Sequence, residues 1–383
     1  MELKSLKWKF AAFSTVCLLV YSNLQANTPV PAPPSIAAKS YVLMEVSTGD
    51  VIVEFNAHQR LAPASLTKIM TSYAVAAELE SGRIGWADQV SVSIKAWKAI
   101  GSRMFIREGT FVPVVDLMRG VVVVSGNDAS IALAEHVSGT EEAFADYMNE
   151  HAKLIGMENS NFKNSTGLDE KDHYSTAYDH ALLTKSLIEN YPTVYDVYSE
   201  LEFTYGEISQ PNRNTLLKRD PAVDGVKTGY TDDAGFNLVA SAERDGLRLI
   251  SVVLGTESAR VRASESLKLL NYGFRNFTRH IAVEEGKKLD SAKVLFGMKD
   301  TVETAASETY NLLLVRGQED ELSVVPQLDD PLEAPITNGQ EIGLLHVVVS
   351  GEIKKSIPLL ATESIEEVGF FERIWQSLKL TFE

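Results

Sequence analysis

The chain has 383 residues, enough for two or three domains and a sizeable core. Its 36 basic residues are outnumbered by 52 acidic ones, and the net charge of −16 argues against a nucleic-acid partner. The single cysteine, Cys17, lies near the N-terminus, so the rest of the chain has no thiol for a disulfide, a nucleophile or a metal site. Seven histidines without an H-E-x-x-H pattern argue against a zinc hydrolase as well.

Residues 1–26 have the pattern of a signal peptide. Three lysines precede an apolar run from Phe10 to Tyr21, and a possible cleavage site ends on the small residue Ala26. The apolar run is about half of the ~20 residues that a membrane span needs, so we predict export with cleavage. A Pro-rich linker at 27–36 then leads to the folded body.

The hydrophobic pattern of 37–276 predicts a single antiparallel sheet with helices packed on it, an α+β fold. The predicted elements are a hairpin at 40–55, helices beginning at Pro63, at 141 and at 261, and a second hairpin built from Phe236–Ala242 and Leu247–Gly255. The helix at 141–156 is expected to place four apolar side chains on one side, namely Phe144, Tyr147, Met148 and Leu154.

A second, all-β domain is predicted at 277–363, where short β-like runs alternate with turns rich in Gly, Pro, Asp and Asn. The runs are Lys293–Phe296, Tyr310–Val315, Leu322–Val325, Leu344–Val349 and Ser356–Leu360. From Ile365 onwards, apolar spacing predicts an amphipathic helix at 364–383 that is too polar to span a bilayer. It could lie in a membrane interface or dock on the protein itself, and its aromatic residues and terminal position favour the interface.

Three short motifs occur in order, each at the boundary of a predicted element. They are Ser65-x-x-Lys68, Ser125-x-Asn127 and Lys227-Thr228-Gly229. At positions i and i+3 of a helix, Ser65 and Lys68 share a face, which places a hydroxyl beside an amine that can serve as its base. Each motif alone has an ordinary interpretation, as a helix start, a helix cap or a turn. The ordered set is a signature of penicillin-binding proteins and serine β-lactamases.

The motif blocks SLTKIM, SGNDA and VDGVKTGYTDDAGFNLVASA resemble those of low-molecular-mass penicillin-binding proteins of the D-alanyl-D-alanine carboxypeptidase type. The resemblance runs along essentially the whole mature chain. It implies a penicillin-recognising catalytic domain that removes the last D-Ala from peptidoglycan stem pentapeptides and is acylated by β-lactam antibiotics. It also implies that no metal or organic cofactor is needed. The location that it implies is the periplasmic face of the bacterial inner membrane, on which the family stands through its β domain and terminal helix.

The resemblance and the chemistry of the residues assign the catalytic roles. Ser65 is expected to attack the penultimate D-Ala carbonyl and to form an acyl-enzyme. Lys68 would act as general base, because burial and the nearby cation Lys227 lower its pKa. Ser125 would relay the proton to the leaving nitrogen, and Asn127 would hold the substrate's amide backbone.

The substrate-binding residues are assigned in the same way. Lys227 and Thr228 are expected to face the substrate's free carboxylate, and Gly229 to leave room for the substrate along the strand. The backbone N–H groups of Ser65 and Tyr230 would form the oxyanion hole. Tyr230 stands where the family often has histidine, but its expected role uses the backbone. Arg262 resembles the family's arginine that anchors the terminal carboxylate, a task that suits a guanidinium.

Three other functions compete with this interpretation. A class A β-lactamase would use a glutamate in an E-x-x-L-N loop, a string that this sequence lacks. A D,D-endopeptidase would use the same machinery on crosslinks, although the carboxylate-binding Arg262 favours an exo-acting enzyme. A peptidoglycan-binding scaffold without catalysis would be free to lose the nucleophile and both lysines, which are intact.

Overall fold

The structure, a computed structural model, describes residues 30–329 and 331–382. The predicted signal peptide and the first residues of the linker lie outside the described residues. The α-helices are α1 Thr67–Glu80, α2 Ile94–Trp97, α3 Val114–Val122, α4 Asn127–Ser138, α5 Glu141–Ile155, α6 Ala177–Asn190, α7 Pro192–Tyr195, α8 Ala259–Asn276 and α9 Phe370–Phe382. The strands before α8 are β1 Ser40–Glu45, β2 Val51–Phe55, β3 Gln89–Ser91, β4 Phe111–Pro113, β5 Glu202–Tyr205, β6 Ile208–Pro211, β7 Val223–Thr231, β8 Gly235–Arg244 and β9 Leu247–Thr256. Those after it are β10 Phe277–Val283, β11 Lys288–Lys293, β12 Thr301–Ala306, β13 Tyr310–Val315, β14 Leu322–Leu328, β15 Glu341–Val349 and β16 Glu352–Ala361.

A five-stranded antiparallel sheet organises the first part of the chain, in the order β2-β1-β9-β8-β7. Successive residues of β1 face opposite sides of the sheet, as the pleat requires. Val42 and Met44 pack into a core shared with α1, α3, α4 and α6, whereas Leu43 packs into a second core with α8. Strand β7, which contains the Lys-Thr-Gly motif, lies at the edge of this sheet. Its free edge is therefore open to an extended ligand.

Two details of the helices differ from the sequence-based expectations. Ser65 lies in a 3-10 turn, Ala64–Leu66, that precedes α1, so Lys68 alone of the first motif is in the α-helix. Leu154 was wrongly placed on the buried face of α5, since its side chain is 84% exposed. The buried face follows Phe144, Met148 and Ala152, and at 100° per residue Leu154 points to the opposite side from Ala152.

The all-β part has a five-stranded sheet, β11-β12-β16-β15-β14, and a two-stranded ribbon of β10 and β13. The strand predicted at Lys293–Phe296 is wrong, because only Lys293 belongs to a strand, β11. Strands β10 to β12 gave weak signals because polar residues interrupt the apolar ones. The other four predicted runs lie within β13 to β16.

The C-terminal helix α9 begins at Phe370, five residues later than the sequence pattern indicates. Ile365 instead pairs with Ile336 and is buried in a core of the β domain. Several apolar side chains of α9 are exposed: Phe370, Phe371, Ile374, Trp375, Leu378 and Leu380. Within 30–329 and 331–382, no helix is both long and apolar enough to cross a membrane.

Candidate active site

The turn that carries Ser65 is held between two glycines from other elements. A Cβ at Gly167, which has φ of +83°, would collide with the carbonyl of Ala64. A Cβ at Gly229 on β7 would lie 2.9 Å from the carbonyl oxygen of Pro63 and 3.3 Å from the backbone nitrogen of Leu66. The close approach that Gly229 permits is therefore with the turn that carries Ser65, whereas the sequence suggested room for substrate.

Asn237 on the interior strand β8 binds the same turn through its side chain. Its Nδ2 donates to the carbonyls of Ala62 at 3.2 Å and Pro63 at 3.3 Å, and its Oδ1 accepts from the N–H of Gly255 at 2.8 Å. The side chain is completely buried, so these bonds satisfy an amide that would otherwise be costly to bury. Asn237 therefore ties the Ser65 turn to strand β9.

Lys68 is completely buried and has three oxygen neighbours. Its Nζ lies 2.5 Å from the carbonyl oxygen of Thr166, 2.7 Å from Oδ1 of Asn127 and 3.3 Å from Oγ of Ser65. The first two oxygens can only accept hydrogen bonds, whereas the serine hydroxyl can also donate. A neutral amine has two hydrogens and one lone pair, so the arrangement directs the lone pair of Lys68 toward Ser65.

The electrostatic surroundings favour that neutral form. Burial and, to a smaller extent, the positive charge of Arg213 together lower the pKa of Lys68 to about 7, against the opposing charges of Asp128 and Glu141. Burial also places the pKa of Lys227 well below its usual value, with Lys68, Arg213 and Arg262 as additional causes. Lysine can therefore serve as a base at neutral pH in this pocket.

Ser125 lies beside Lys227. The ammonium of Lys227 donates to Ser125 Oγ at 2.9 Å and to the carbonyl of Thr228 at 3.1 Å. Among the residues described, no hydrogen bond joins Ser125 to Lys68. Ser125 has φ of +62°, a conformation that costs a non-glycine residue ~1–3 kcal/mol and that clusters at functional sites. Neither Ser125 nor Asn127 caps α4, which has no side-chain N-cap bond.

Asn127 joins helix α1 to the segment at 100–106. Its Oδ1 accepts from Lys68, while its Nδ2 donates to the carbonyl of Ile100 at 2.6 Å. Each amide atom therefore has one partner within the protein, and each has capacity for one more. The next residue, Asp128, accepts from the backbone N–H groups of Met104, Phe105 and Ile106 and so anchors that segment.

Edge strand β7 brings the Lys-Thr-Gly motif and Tyr230 to the same pocket. Thr228 is buried, and its hydroxyl has no hydrogen bond to any described residue. The side chain of Tyr230 is half exposed and donates to Asp232 at 2.7 Å, and its ring packs at a tilt against Phe236, with 4.3 Å between the ring centroids. The tyrosine side chain thus points away from the lysines, and its backbone lies on the strand edge.

Arg262, near the start of α8, reaches across to β7. Its Nη1 donates to the carbonyl of Gly229 at 2.9 Å, and its guanidinium lies 5.6 Å from the ring centroid of Phe236. Burial, with help from the charge of Arg213, lowers the pKa of Arg262 to about 10. The arginine is therefore still protonated at neutral pH.

Comparisons with known proteins agree with this geometry. The D-alanyl-D-alanine carboxypeptidase family profile matches residues 26–258, and the profile of the penicillin-binding protein 5 C-terminal domain matches 277–367. The chain belongs to the D-alanyl-D-alanine carboxypeptidase family. It is 41% identical to D-alanyl-D-alanine carboxypeptidase DacC of Escherichia coli strain K12, over 100% of this chain and 97% of that protein.

Solved structures of this family have the same fold. Penicillin-binding protein 5 from Haemophilus influenzae has a TM-score of 0.79 and 41% identity, covering 88% of this chain and 100% of that one. Penicillin-binding protein D2 from Listeria monocytogenes in its cefotaxime-bound form has a TM-score of 0.59 and 30% identity, covering 64% and 100%. The resemblance and the α+β fold class inferred from the sequence are confirmed. So is the function, that of a serine-type D-Ala-D-Ala carboxypeptidase that β-lactams acylate.

Several residues of this carboxypeptidase site were missed by the sequence analysis. They are Asp128, Thr166, Gly167, Arg213 and Asn237. Asp128 and Asn237 lie inside the quoted motif blocks, so their positions were available as a signal. The others lie in loops, and Thr166 contributes only a backbone carbonyl, which no sequence pattern reveals. In the described part of the chain, no cluster of three or more acidic, histidine or cysteine side chains could hold a metal ion.

Proposed function

We propose that Ser65 is the acylated nucleophile of this carboxypeptidase and that Lys68 is its general base. The observation that carries the proposal is the position of Lys68 between two oxygens that can only accept and one hydroxyl that can donate. The Ser65 hydroxyl proton passes to Nζ of Lys68 while Oγ bonds to the carbonyl carbon of the penultimate D-Ala. The N–H groups of Ser65 and Tyr230 stabilise the resulting oxyanion, each contributing about 2.7–4 kcal/mol.

Collapse of the tetrahedral intermediate breaks the peptide bond to the terminal D-Ala. We propose that Ser125 donates its hydroxyl proton to the leaving nitrogen and recovers a proton from the lysine pair. Its contact with Lys227 supports a route through that ammonium. Water then attacks the ester, returns the proton to Ser65 Oγ and releases the shortened peptide. Asn127 binds the backbone of the acyl group, because its Oδ1 and its Nδ2 can each form one more hydrogen bond.

A carboxypeptidase must recognise the free carboxylate of the last residue of its substrate, which here is the terminal D-Ala. We propose that Thr228, Lys227 and Arg262 receive it. Thr228 supports this role because the residue is buried while its hydroxyl has no hydrogen-bond partner among the described residues. Arg262 supports it because its Nη1 donates to the carbonyl of Gly229 on β7, so that its Nη2 is available to a ligand.

We propose that the mature enzyme is a peripheral protein of the periplasmic face of the inner membrane. The catalytic domain is 37–276, as the sequence indicated, and the β domain runs from 277 to 367, beyond the predicted end at 363, because Ile365 belongs to its core. The lipid surface is bound by α9, whose exposed aromatic and aliphatic side chains have no protein core to enter.

Mass spectrometry after incubation with benzylpenicillin, followed by a D-Ala release assay on a pentapeptide, tests the catalytic proposal. We expect an adduct on Ser65 in the wild type and none in Ser65→Ala, with D-Ala released only by the former. Lys68→Met removes the amine that would accept the Ser65 proton, so we expect this variant to lose the adduct as well. An adduct on another residue, or an adduct that survives in Ser65→Ala, would contradict the assignment.

A further inference from the structure

The N-terminal segment, residues 30–36, lies along helix α8, where the sequence predicted only a linker. Its last residue, Ile36, is buried in the core that β1 shares with α8, and the backbone N–H of the next residue donates to Glu265 of α8 at 3.2 Å. Nearer the N-terminus, the carbonyl of Pro31 accepts from the hydroxyl of Tyr272 of α8 at 2.9 Å. The segment therefore follows α8 toward its C-terminal end, where the β domain begins.

The other end of the N-terminal segment reaches the β domain. Val30 lines a groove of about 470 Å³ together with Phe277 of β10, residues 312–315 of β13 and residues at the turn between β15 and β16. Leu313 of the same strand β13 packs against the core that contains Ile36. The N-terminal segment therefore has one end in the core of the catalytic domain and the other end at a groove of the β domain.

The sequence of the N-terminal segment suits docking on an aromatic residue. Pro31, Pro33 and Pro34 restrict the backbone in advance, so that less conformational entropy is lost when the segment docks. Proline-rich segments are commonly bound by aromatic side chains, and their backbone carbonyls have no partners within the segment. Tyr272 donates to such a carbonyl, and its ring also packs edge-on against Phe277, the first residue of β10, at 6.1 Å between centroids. This tyrosine therefore contacts both the segment and the β domain.

We propose that the N-terminal segment is a strap that docks on Tyr272 and on the groove beside β13 and so fixes the orientation of the β domain. The chain passes directly from α8 to β10 at 276–277, and a single crossing of this kind leaves rotation about the junction possible. A second attachment away from that crossing opposes the rotation. Residues 30–33 are exposed, so the docking depends on few contacts and is reversible without unfolding of either domain.

Distances between two nitroxide spin labels, measured by double electron–electron resonance, test this proposal. The chain from residue 27 onwards has no cysteine, so two introduced cysteines carry the labels at defined positions. Glu150→Cys on α5 and Asp300→Cys just before β12 are suitable, because both residues are exposed and lie in different domains. With the segment docked, we expect a single narrow distribution of distances for the chain 27–383.

Three variants are compared with that chain. A chain that begins at Ile36 lacks the strap and should give a broad or shifted distribution. Tyr272→Phe removes one hydrogen bond, which should raise the ratio of undocked to docked molecules about fivefold and broaden the distribution in part. Ser35→Ala is the control within the segment, because Ser35 is exposed, and it should leave the distribution unchanged.

Acylation by benzylpenicillin shows whether each variant is folded. It should be equal in all of them, because Tyr272 is ten residues after Arg262, about 15 Å farther along α8. A broad distribution for the chain 27–383, or an unchanged narrow one for the chain that begins at Ile36, would overturn the proposal. If the shortened chain is not acylated and hence not folded, Tyr272→Phe decides. Broadening in that variant supports the strap, and a distribution like that of the chain 27–383 overturns it.

Discussion

Lys68 and Lys227 share one buried pocket but have different partners. Lys68 meets a carbonyl and an amide oxygen that only accept, whereas Lys227 meets the Ser125 hydroxyl and a carbonyl on its own strand. Two ammonium groups in one dry pocket repel each other, so loss of one proton relieves both. The lone pair of Lys68 faces Ser65, whereas Lys227 contacts Ser125, so the two lysines are arranged for different tasks.

The pKa of Lys68 predicts the pH dependence of acylation. A base acts only when it is unprotonated, and burial brings the pKa of Lys68 to about 7. The rate of acylation by benzylpenicillin should therefore rise with pH, with a midpoint near that value, and level off above it. Stopped-flow measurement between pH 5 and pH 9, buffered at constant ionic strength, checks this. A rate that is flat across neutral pH would show that Lys68 is not the titrating base.

Replacing Arg213 by glutamine predicts a shift of that midpoint. The positive charge of Arg213 lowers the pKa of Lys68, so its removal raises the pKa. The neutral fraction at any given pH then falls, and the acid limb of the profile moves to higher pH. R219Q is the matched control and should leave the profile in place. A shift toward lower pH in R213Q would mean that the charge acts on another group.

At the scale of single elements, the 3-10 turn of Ser65 depends on glycines far away in sequence. Gly167 comes from a loop and Gly229 from β7, and both contact the backbone around the nucleophile. The sequence pattern predicted a helix starting at Pro63, and helix α1 does form, from Thr67 onwards. Helical periodicity, however, cannot reveal that a loop packs closely against the turn before the helix. The position of Ser65 is therefore decided by tertiary contacts.

Gly167→Ala tests this constraint. The new Cβ would collide with the carbonyl of Ala64 and push the nucleophile's turn, and a displacement of ~1 Å costs about 100-fold in rate. Gly156→Ala is the control, because Gly156 also has positive φ, +88° against +83°, is in the left-handed α region and has open space around it. Both variants should lose about 1–2 kcal/mol of unfolding free energy through the backbone alone. Only Gly167→Ala should also slow acylation by penicillin, and equal rates in the two variants would refute the clash.

The elements that the sequence predicted correctly share a strong local signal. The two hairpins of the large sheet have β-branched runs around turns with glycine, and helices α5 and α8 have clear 3.6-residue periodicity. The site residues Ser65, Lys68, Ser125, Asn127 and Lys227 were found because each lies in a short motif, and the structure brings them into one pocket. The sequence did not reveal the strands with many polar residues, the exposure of Leu154 or the lack of a partner for the guanidinium of Arg213 among the described residues. These features depend on which surfaces the rest of the fold covers. Local patterns do not encode that information.

At the scale of the whole molecule, the catalytic and β domains meet without a linker. Helix α8 ends at Asn276 and β10 begins at Phe277. Arg279 donates to the carbonyl of Gly246 at 3.2 Å, and Arg316 donates to the carbonyl of Phe274 at 3.1 Å, so two arginines of the β domain contact the catalytic sheet and α8. These contacts favour a fixed orientation of the active site relative to the C-terminal helix.

Removal of α9 tests the proposed membrane contact. Burial of its apolar face should provide the binding energy, since Glu372 and Glu383 balance Arg373 and Lys379 and leave no net charge for anionic lipid. We therefore expect the chain without 370–383 to lose sedimentation with phosphatidylcholine vesicles while keeping its acylation rate. Binding of the full chain should change little when anionic lipid or 0.5 M salt is added.

Two point variants separate the apolar contribution of α9 from its charges. Trp375→Ser removes the largest exposed ring of the helix and should weaken vesicle binding several-fold, because the ring's apolar burial is lost. Lys379→Gln, four residues later on the same helix, removes a charge and should bind as the wild type does. Both variants should acylate normally, since α9 lies outside the pocket. Strong salt sensitivity, or weaker binding by Lys379→Gln than by Trp375→Ser, would instead indicate an electrostatic contact with lipid headgroups.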